Sequence, residues 1–369
     1  MLAFLSPHSF LSIFPQIIAI FLIQIPVFSP MEKKELFRND WFFAESGDFI
    51  QLSEINAGGK YGTVPKDRPI LEYINKGVVV INKPAGPTSH EIAAFVRDIL
   101  EVKVAGHSGS LDPAVTGVQP VMIGKATRAV AAIRLSGKEY ICLMKLHRSV
   151  PEKMIRSTVS EFVGSVYQMP PVRSAVKRAL RTRHIYYIEI LEVKDTLVLM
   201  RVGCEAGTYI RKLCHDVGLA LGVGAQMQEL VRSKAGPFAD ERPVSLQELT
   251  DAYVLWKESG AETPLRELIL PMESAFSQLP RIVVRDSAVD ALCSGAFLAK
   301  AGVLGYSSGL QKGDLAAVFT QKGEIISLST ALVTPDEIST MDHGFVAKPK
   351  AVLMDIHTYP KCWKNRELR

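Results

Sequence analysis

The residues best suited to chemistry lie in one short loop, Gly106-His107-Ser108-Gly109-Ser110-Leu111-Asp112-Pro113, which continues through Thr116-Gly117. Two glycines allow unusual backbone angles and close approach of a ligand, and Pro113 biases Asp112 toward an extended conformation, so its carboxylate can be held at one spot. A single fixed carboxylate acts as a nucleophile or as a general acid and base. Gly-Asp-Pro loops are also ordinary turns, and turn chemistry alone leaves both readings open. Two rival chemistries fail on spacing. Gly124-Lys125-Ala126-Thr127 lacks the upstream Gly of a phosphate loop and the hydroxyl directly after Lys. Neither Ser108 nor Ser110 sits in a G-x-S-x-G elbow. The five cysteines, Cys142, Cys204, Cys214, Cys293 and Cys362, form no C-x-x-C pair and have no His at metal-ligand spacing, so they read as reduced, mostly buried thiols.

The elements around this loop follow from pattern. Gly77-Val-Val-Val-Ile81 is a continuous β-branched run that suits a strand covered on both faces, and Lys83-Pro84-Ala85-Gly86-Pro87 ends it. Thr88 and Glu91 then spell a capping box, and Ile92, Phe95, Val96, Ile99 and Leu100 recur at helical spacing, so a helix is expected to about Glu101 with that stripe in the core. Lys103 to Pro120 is rich in Gly and Pro, shows no period and reads as loop, ahead of a helix near Ala126 to Ile133. A strand over Lys138 to His147, a helix over Glu152 to Val163, a hairpin of Ile185 to Val193 and Thr196 to Cys204, and a helix from Tyr209 to Leu221 follow. After the Pro-bounded linker Leu270 to Pro280 the texture changes to short strands and Gly turns, with a hairpin of Leu315 to Phe319 and Glu324 to Leu328. At 369 residues and 47% hydrophobic content, two globular units are the default, with the boundary near Ser277.

A net charge of +5 is modest, so a nucleic-acid surface has to come from local clusters. One such cluster is Pro170-Pro171-Val172-Arg173-Ser174-Ala175-Val176-Lys177-Arg178-Ala179-Leu180-Arg181-Thr182-Arg183. Five cations there form a footprint for phosphates, although a solvated charge run has the same composition. Residues 2–28 are apolar and uncharged, but no Lys or Arg precedes Lys33, and Pro7, Pro15 and Pro26 interrupt the run. The expectation is an over-called start with Met31 opening the functional protein; a single membrane anchor is the alternative.

Four motifs in this order, Lys83-Pro-x-Gly-Pro-Thr-Ser-His90, the G-H-S-G-S-L-D-P-x-V-T-G loop, Lys138-Glu139-Tyr140 and Gly207-Thr208-Tyr209-Ile210-Arg211, closely resemble the TruB and dyskerin family of RNA pseudouridine synthases. The resemblance runs from about Pro69 to the C-terminus. Pro170-Pro-Val-Arg-Ser-Ala-Val-Lys-Arg178 and Thr358-Tyr-Pro-Lys-Cys-Trp363 are similar to its archaeal and eukaryotic branch, and Pro280-Arg-Ile-Val-Val-Arg285 through Lys312-Gly-Asp-Leu315 to a closing strand near Ala351 to Asp355 resembles a PUA domain.

The resemblance implies an α/β catalytic domain on a mixed, largely antiparallel sheet, followed by a small β-barrel PUA domain. The expected divisions are an apolar extension at 1–30, an N-terminal arm at 31–68, the catalytic domain at 69–276, the PUA domain at 277–357 and a basic tail at 358–369 that includes Lys361, Lys364, Arg366 and Arg369. It further implies that Asp112 is the catalytic aspartate, that Arg211 pairs with it, and that Tyr140 stacks on the target base. His107, Tyr209, Leu230 and Lys83 are expected at the substrate, and Arg173, Lys177, Arg178, Arg181 and Arg183 on RNA. Taken singly, each has a plainer reading: Arg211 a surface cation, Tyr140, Tyr209 and Leu230 core packing, His107 a structural histidine. No metal or coenzyme is implied. The implied partners are an H/ACA guide RNA, rRNA and tRNA substrates and small accessory proteins, with no membrane. Alternatives are a stand-alone tRNA enzyme and a non-catalytic RNA scaffold. Where related sequences have His and Arg, this one has Gln226 and Val231, which puts RNA contacts there in question. It also lacks the Lys-rich nuclear tail of eukaryotic dyskerin, so an archaeal, cytoplasmic protein is expected.

Overall fold

The computed structural model describes residues 48–170, 178–239 and 243–362. The described chain begins with a short strand, β1 (Phe49–Gln51). It then builds a ten-stranded sheet from β2 (Gly77–Lys83), β3 (Ala105–His107), β4 (Thr116–Ile123), β5 (Lys138–Leu146), β6 (Gly164–Gln168), β7 (Arg181–Lys194), β8 (Leu197–Cys204), β9 (Ala225–Ala235), β10 (Phe238–Ala239) and β11 (Ile269–Pro271). The strand order is β11-β2-β4-β9-β5-β8-β7-β6, with β3 on β4 and β10 on β9. Every pairing is antiparallel except β4 with β9, so the sheet is mixed and largely antiparallel, as expected. Helices α1 (Ile70–Asn75), α2 (Ser89–Ile99), α3 (Val130–Leu135), α4 (Glu152–Ser160), α5 (Ile210–Ala220) and α6 (Leu246–Ser259) pack around it.

The apolar run of β2 is continuous because both faces are covered. Val78 and Val80 join Val118, Met122 and Phe276, while Val79 and Ile81 face Ile92 and Val96 of α2 and Leu249 of α6. Burying each such side chain contributes roughly 1.5–3 kcal/mol. The capping box of α2 forms as spelled: Glu91 N donates to Thr88 Oγ1 at 3.2 Å and Thr88 N to Glu91 Oε2 at 2.7 Å. Ile92, Val96 and Leu100 are buried, but Phe95, expected in the same stripe, is exposed. Farther along, α5 covers β5 through Leu213, Cys214 and Val217 against Cys142 and Met144.

A second, seven-stranded sheet combines β12 (Arg281–Val284), β13 (Leu298–Ala299), β14 (Val303–Ser307), β15 (Leu315–Phe319), β16 (Ile325–Ala331) and β17 (Phe345–Val352), with β1 at its edge beside β14. The stretch expected to be an irregular arm therefore contributes a strand to a sheet some 250 residues away in sequence, Phe49 opposite Ser307. The two sheets share a core in which Ala317, Ile325 and Leu328 meet Val80, Val118 and Phe276. Polar ties reinforce it: Arg68 forms a buried two-pronged pair with Glu273, whose Oε1 also accepts from Ile325 N, and Arg128 donates to Leu353 O at 2.9 Å.

Two further expectations are corrected. The segment 103–120, read as loop, contains β3 and the first half of β4; Gly117 and Pro120 hide the strand pattern, and burial of nearly all of β4 removes the alternation that marks a half-exposed strand. The helix near Ala126 begins as a 3-10 turn over Gly124–Ala129 before α3 takes over.

Candidate active site

The loop carrying Asp112 connects β3 to β4 and is tied down from beneath. Leu111 N donates to Ser89 Oγ at 2.8 Å, Gly86 N to Pro113 O at 3.0 Å, and Val115 N to Asp112 O at 2.9 Å. Lys83, expected at the substrate, takes another part. It is fully buried, and its ammonium donates to the carbonyls of Pro84, Pro113 and Val115 at 2.9, 3.0 and 2.9 Å. All three N–H bonds are spent on backbone carbonyls, two of them just after Asp112, so Lys83 fixes the loop rather than touching a ligand. Burial lowers its pKa, and nearby Arg232 lowers it further.

Gly117 explains why the loop closes where it does. Its φ is +102°, and a Cβ there would sit 2.3 Å from Arg232 O and 2.9 Å from Arg232 N, because β4 and β9 run parallel at this point with Gly117 opposite Arg232. Only glycine fits both constraints.

The Asp112 carboxylate is exposed and paired with the Arg211 guanidinium through Nη2 and Oδ2. Arg211 is the second residue of α5, whose N-terminal N–H groups and dipole favour negative charge. The turn that delivers it is held by Gln168, which accepts from Tyr209 N at 2.9 Å and donates to Tyr209 O at 3.2 Å. Tyr209 is thereby fixed at the helix N-cap, half-buried.

Tyr140 and Leu230 lie on adjacent strands of the sheet beneath α5. In the β5–β9 register Tyr140 stands opposite Arg232 and Cys142 opposite Leu230, which puts all four on one face. Tyr140 and Leu230 are half-buried and pack against the cluster that includes Cys214 and Ile210 of α5. Burial pushes the Tyr140 phenol up, and the charge of the neighbouring Arg232 guanidinium opposes the shift. Arg232 escaped the sequence reading because a buried arginine has no compositional signature. Its signal was position: two residues after Leu230 in a strand, it shares that residue's face.

His107 ends β3, half-buried, with Nε2 3.3 Å from His90 Nδ1 and the rings edge to face at 4.7 Å. Burial first, and His90 second, hold its pKa below the usual imidazole value. The two histidines and Arg97 line a cavity of about 360 Å³ with Ala93, Ala94 and Ala105.

The basic run is divided. Arg173 and Lys177 lie outside the described residues. Arg178 is exposed beside Leu180, and Arg181 is half-buried opposite Gln168 in the β6–β7 pair. Arg183, expected as an RNA contact, donates to Gly207 O and pairs with Glu205, both at 3.3 Å. It braces the turn leading to Arg211 instead of standing free. Of the departures, Gln226 is exposed at the start of β9 and Val231 is half-buried opposite Thr116. Of the tail, Lys361 is exposed, and Lys364, Arg366 and Arg369 lie outside the described residues. Among the described residues no group of His, Cys, Asp and Glu could hold a metal, and no helix is long and apolar enough to cross a membrane.

Four family models match the chain in series: DKCLD (NUC011) domain at 52–93, TruB family pseudouridylate synthase (N terminal domain) at 97–210, tRNA pseudouridylate synthase B C-terminal domain at 211–277, and PUA domain at 280–353. The probable tRNA pseudouridine synthase B of Methanosarcina barkeri is 59% identical over 307 residues, covering 83% of this chain and 91% of that protein. Its counterpart in Methanopyrus kandleri is 51% identical over 87% of this chain and 95% of that protein. Among solved structures, a chain of an H/ACA RNP bound to a substrate RNA containing 2′-deoxyuridine aligns with a TM-score of 0.80 at 45% identity, covering 86% of this chain and 97% of that one. A chain of a Cbf5-Nop10-Gar1 complex aligns with the same TM-score at 47% identity, covering 85% and 96%. With the sheet, the motifs and these matches in agreement, the chain belongs to the TruB family of pseudouridine synthases.

Proposed function

We propose that this chain isomerises uridine to pseudouridine in ribosomal RNA as the catalytic subunit of an H/ACA guide ribonucleoprotein in the cytoplasm, and that it also accepts the tRNA T-loop. The likeness to an H/ACA RNP chain and to a Cbf5-Nop10-Gar1 chain, each over more than four-fifths of the sequence, supports the guide-dependent mode and the small accessory partners. The archaeal relatives described as tRNA enzymes support the second substrate. In this reading residues 69–276 do the chemistry and 277–357 grip RNA.

One observation carries the catalytic assignment: an exposed carboxylate, anchored through its backbone and held by a guanidinium at a helix N-terminus. The net reaction breaks the ribose C1′–N1 bond, forms C1′–C5, releases a proton from C5 and returns one to N1. It balances without an oxidant, a reductant or a leaving group lost to solvent. Asp112 acts at the ribose-bearing uridine, as nucleophile or base, while the base detaches and turns. Arg211 sets the direction of that carboxylate. Reaching a base in folded RNA requires extruding it at a cost of a few kcal/mol, which stacking on Tyr140 and contact with Tyr209 and Leu230 offset. His107, at the loop's entrance, helps keep the nucleotide out.

The deciding assay incubates the chain and its accessory proteins with an rRNA fragment, with and without guide RNA, and separately with tRNA, and counts pseudouridine. The expected result is product on rRNA only with guide and on tRNA without it. Equal product on rRNA in the absence of guide would refute the guide-dependent mode.

A further inference from the structure

Arg232 is a buried cation that no carboxylate neutralises among the described residues. It is 1% exposed and stands opposite Tyr140, a neutral phenol, in the β5–β9 register. Its Nε donates to Val118 O at 2.7 Å, Nη1 points toward Gly109 with 3.8 Å to the position a Cβ would take there, and Nη2 has no partner. An unpaired guanidinium in the interior costs several kcal/mol, so retaining one under a reactive surface calls for a use. The other arginine of the site, Arg211, is exposed and already paired with Asp112. Lys83, the other buried cation beneath the loop, spends its three N–H groups on carbonyls, so Arg232, the cross-strand neighbour of Tyr140 in the β5–β9 register, is the buried cation of the site with a donor to spare.

We propose that Arg232 is a positioning residue for the isomerisation: as the cross-strand neighbour of Tyr140 it orients that ring and places beside it the charge that steadies the detached uracil. This rests on the functional reading above. When C1′–N1 breaks, its electron pair leaves with the base and spreads over N1, O2 and O4. Reattachment forms C1′–C5, C5 gives up its proton and N1 takes one. Negative charge thus exists on the base only between the two bonds, and a cation fixed in place beforehand favours that state over the neutral nucleoside. Acting through the phenol, the guanidinium also opposes the upward pull of burial on Tyr140.

The test measures single-turnover pseudouridine formation at saturating RNA for Arg232→Gln, which keeps a hydrogen bond without charge, and Arg232→Lys, which keeps charge, each in wild-type and Tyr140→Phe backgrounds. Expected is a loss of about 100-fold for Gln and under about tenfold for Lys, with RNA dissociation constants within about threefold of wild type. In Tyr140→Phe the further loss from Gln shrinks to under about tenfold, because the two residues act as a unit. Gln and Lys variants of equal rate, or an undiminished Gln effect in Tyr140→Phe, overturn the proposal. Should Gln not fold, a folded Lys variant as slow as about 100-fold overturns it, and a near-wild-type Lys rate supports it. A wild-type protein that forms no pseudouridine overturns the functional reading together with this inference; an active wild type with a Gln variant of the same rate overturns the inference alone.

Discussion

The loop of Asp112 and the hairpin of β6 and β7 both carry charge toward solvent, yet they are built in opposite ways. Beneath Asp112 the backbone is spoken for: Ser89 takes Leu111 N, Gly86 N reaches Pro113 O, and Lys83 ties Pro113 and Val115 together. The hairpin instead presents Tyr167, Met169, Arg178 and Leu180 exposed. Where it is braced, by Arg183 on Glu205 and Gly207, the brace serves the turn before Arg211. Chemistry needs a carboxylate that does not move, whereas gripping a polyanion needs reach and charge and tolerates a loosely held element.

That contrast can be broken most severely at Gly117. Gly117→Ala drives a Cβ into the Arg232 backbone, and the loss is expected at about 4 kcal/mol or more, read as a lowered unfolding midpoint together with lost activity. Lys83→Met takes the ammonium away from the carbonyls of Pro84 and Val115 and leaves that of Pro113 with Gly86 N alone, and the expected cost is roughly 2–4 kcal/mol by chemical denaturation, with turnover falling although no substrate contact is removed. Lys138, buried between α3 and β5 with its ammonium on the carbonyls of Ile133, Arg134 and Ser136, has its pKa lowered to about 7, mainly by burial. Above pH 7 the unfolded chain holds that proton more tightly than the folded one, so stability rises with pH by up to about 1.4 kcal/mol per unit from pH 7 to 9. In Lys138→Met that rise is expected to shrink in thermal melts across the same window. On the hairpin side, Arg178→Ala is expected to weaken RNA binding by about 1 kcal/mol and reduce the slope of log affinity against log salt by about 1, with single-turnover rate at saturating RNA unchanged. A drop in that rate would mean the hairpin positions the chemistry after all.

Much of the molecule was legible because local signals agreed with the tertiary outcome. Thr88 and Glu91 spelled the start of α2, the Val-Val-Val-Ile run gave a strand buried on both faces, and the pairing of Arg211 with Asp112 matches the expectation from the motifs. What stayed hidden depends on contacts remote in sequence. β3 and β4 were obscured by glycine, proline and double-sided burial, and β1 pairs with a strand some 250 residues away. Lys83 looked like a ligand contact, since nothing local says that three carbonyls lie folded over its ammonium. Arg183 read as one free cation of five, because Glu205 and Gly207 meet it only in the folded hairpin.

On the function proposed above, Asp112, steadied by Arg211, does the chemistry. The most direct test of this compares Asp112→Asn with wild type in single-turnover pseudouridine formation on a bound RNA. No detectable product is expected from the variant, while RNA affinity stays within about 1.4 kcal/mol, or tenfold, of wild type. Appreciable turnover by Asp112→Asn would contradict that role.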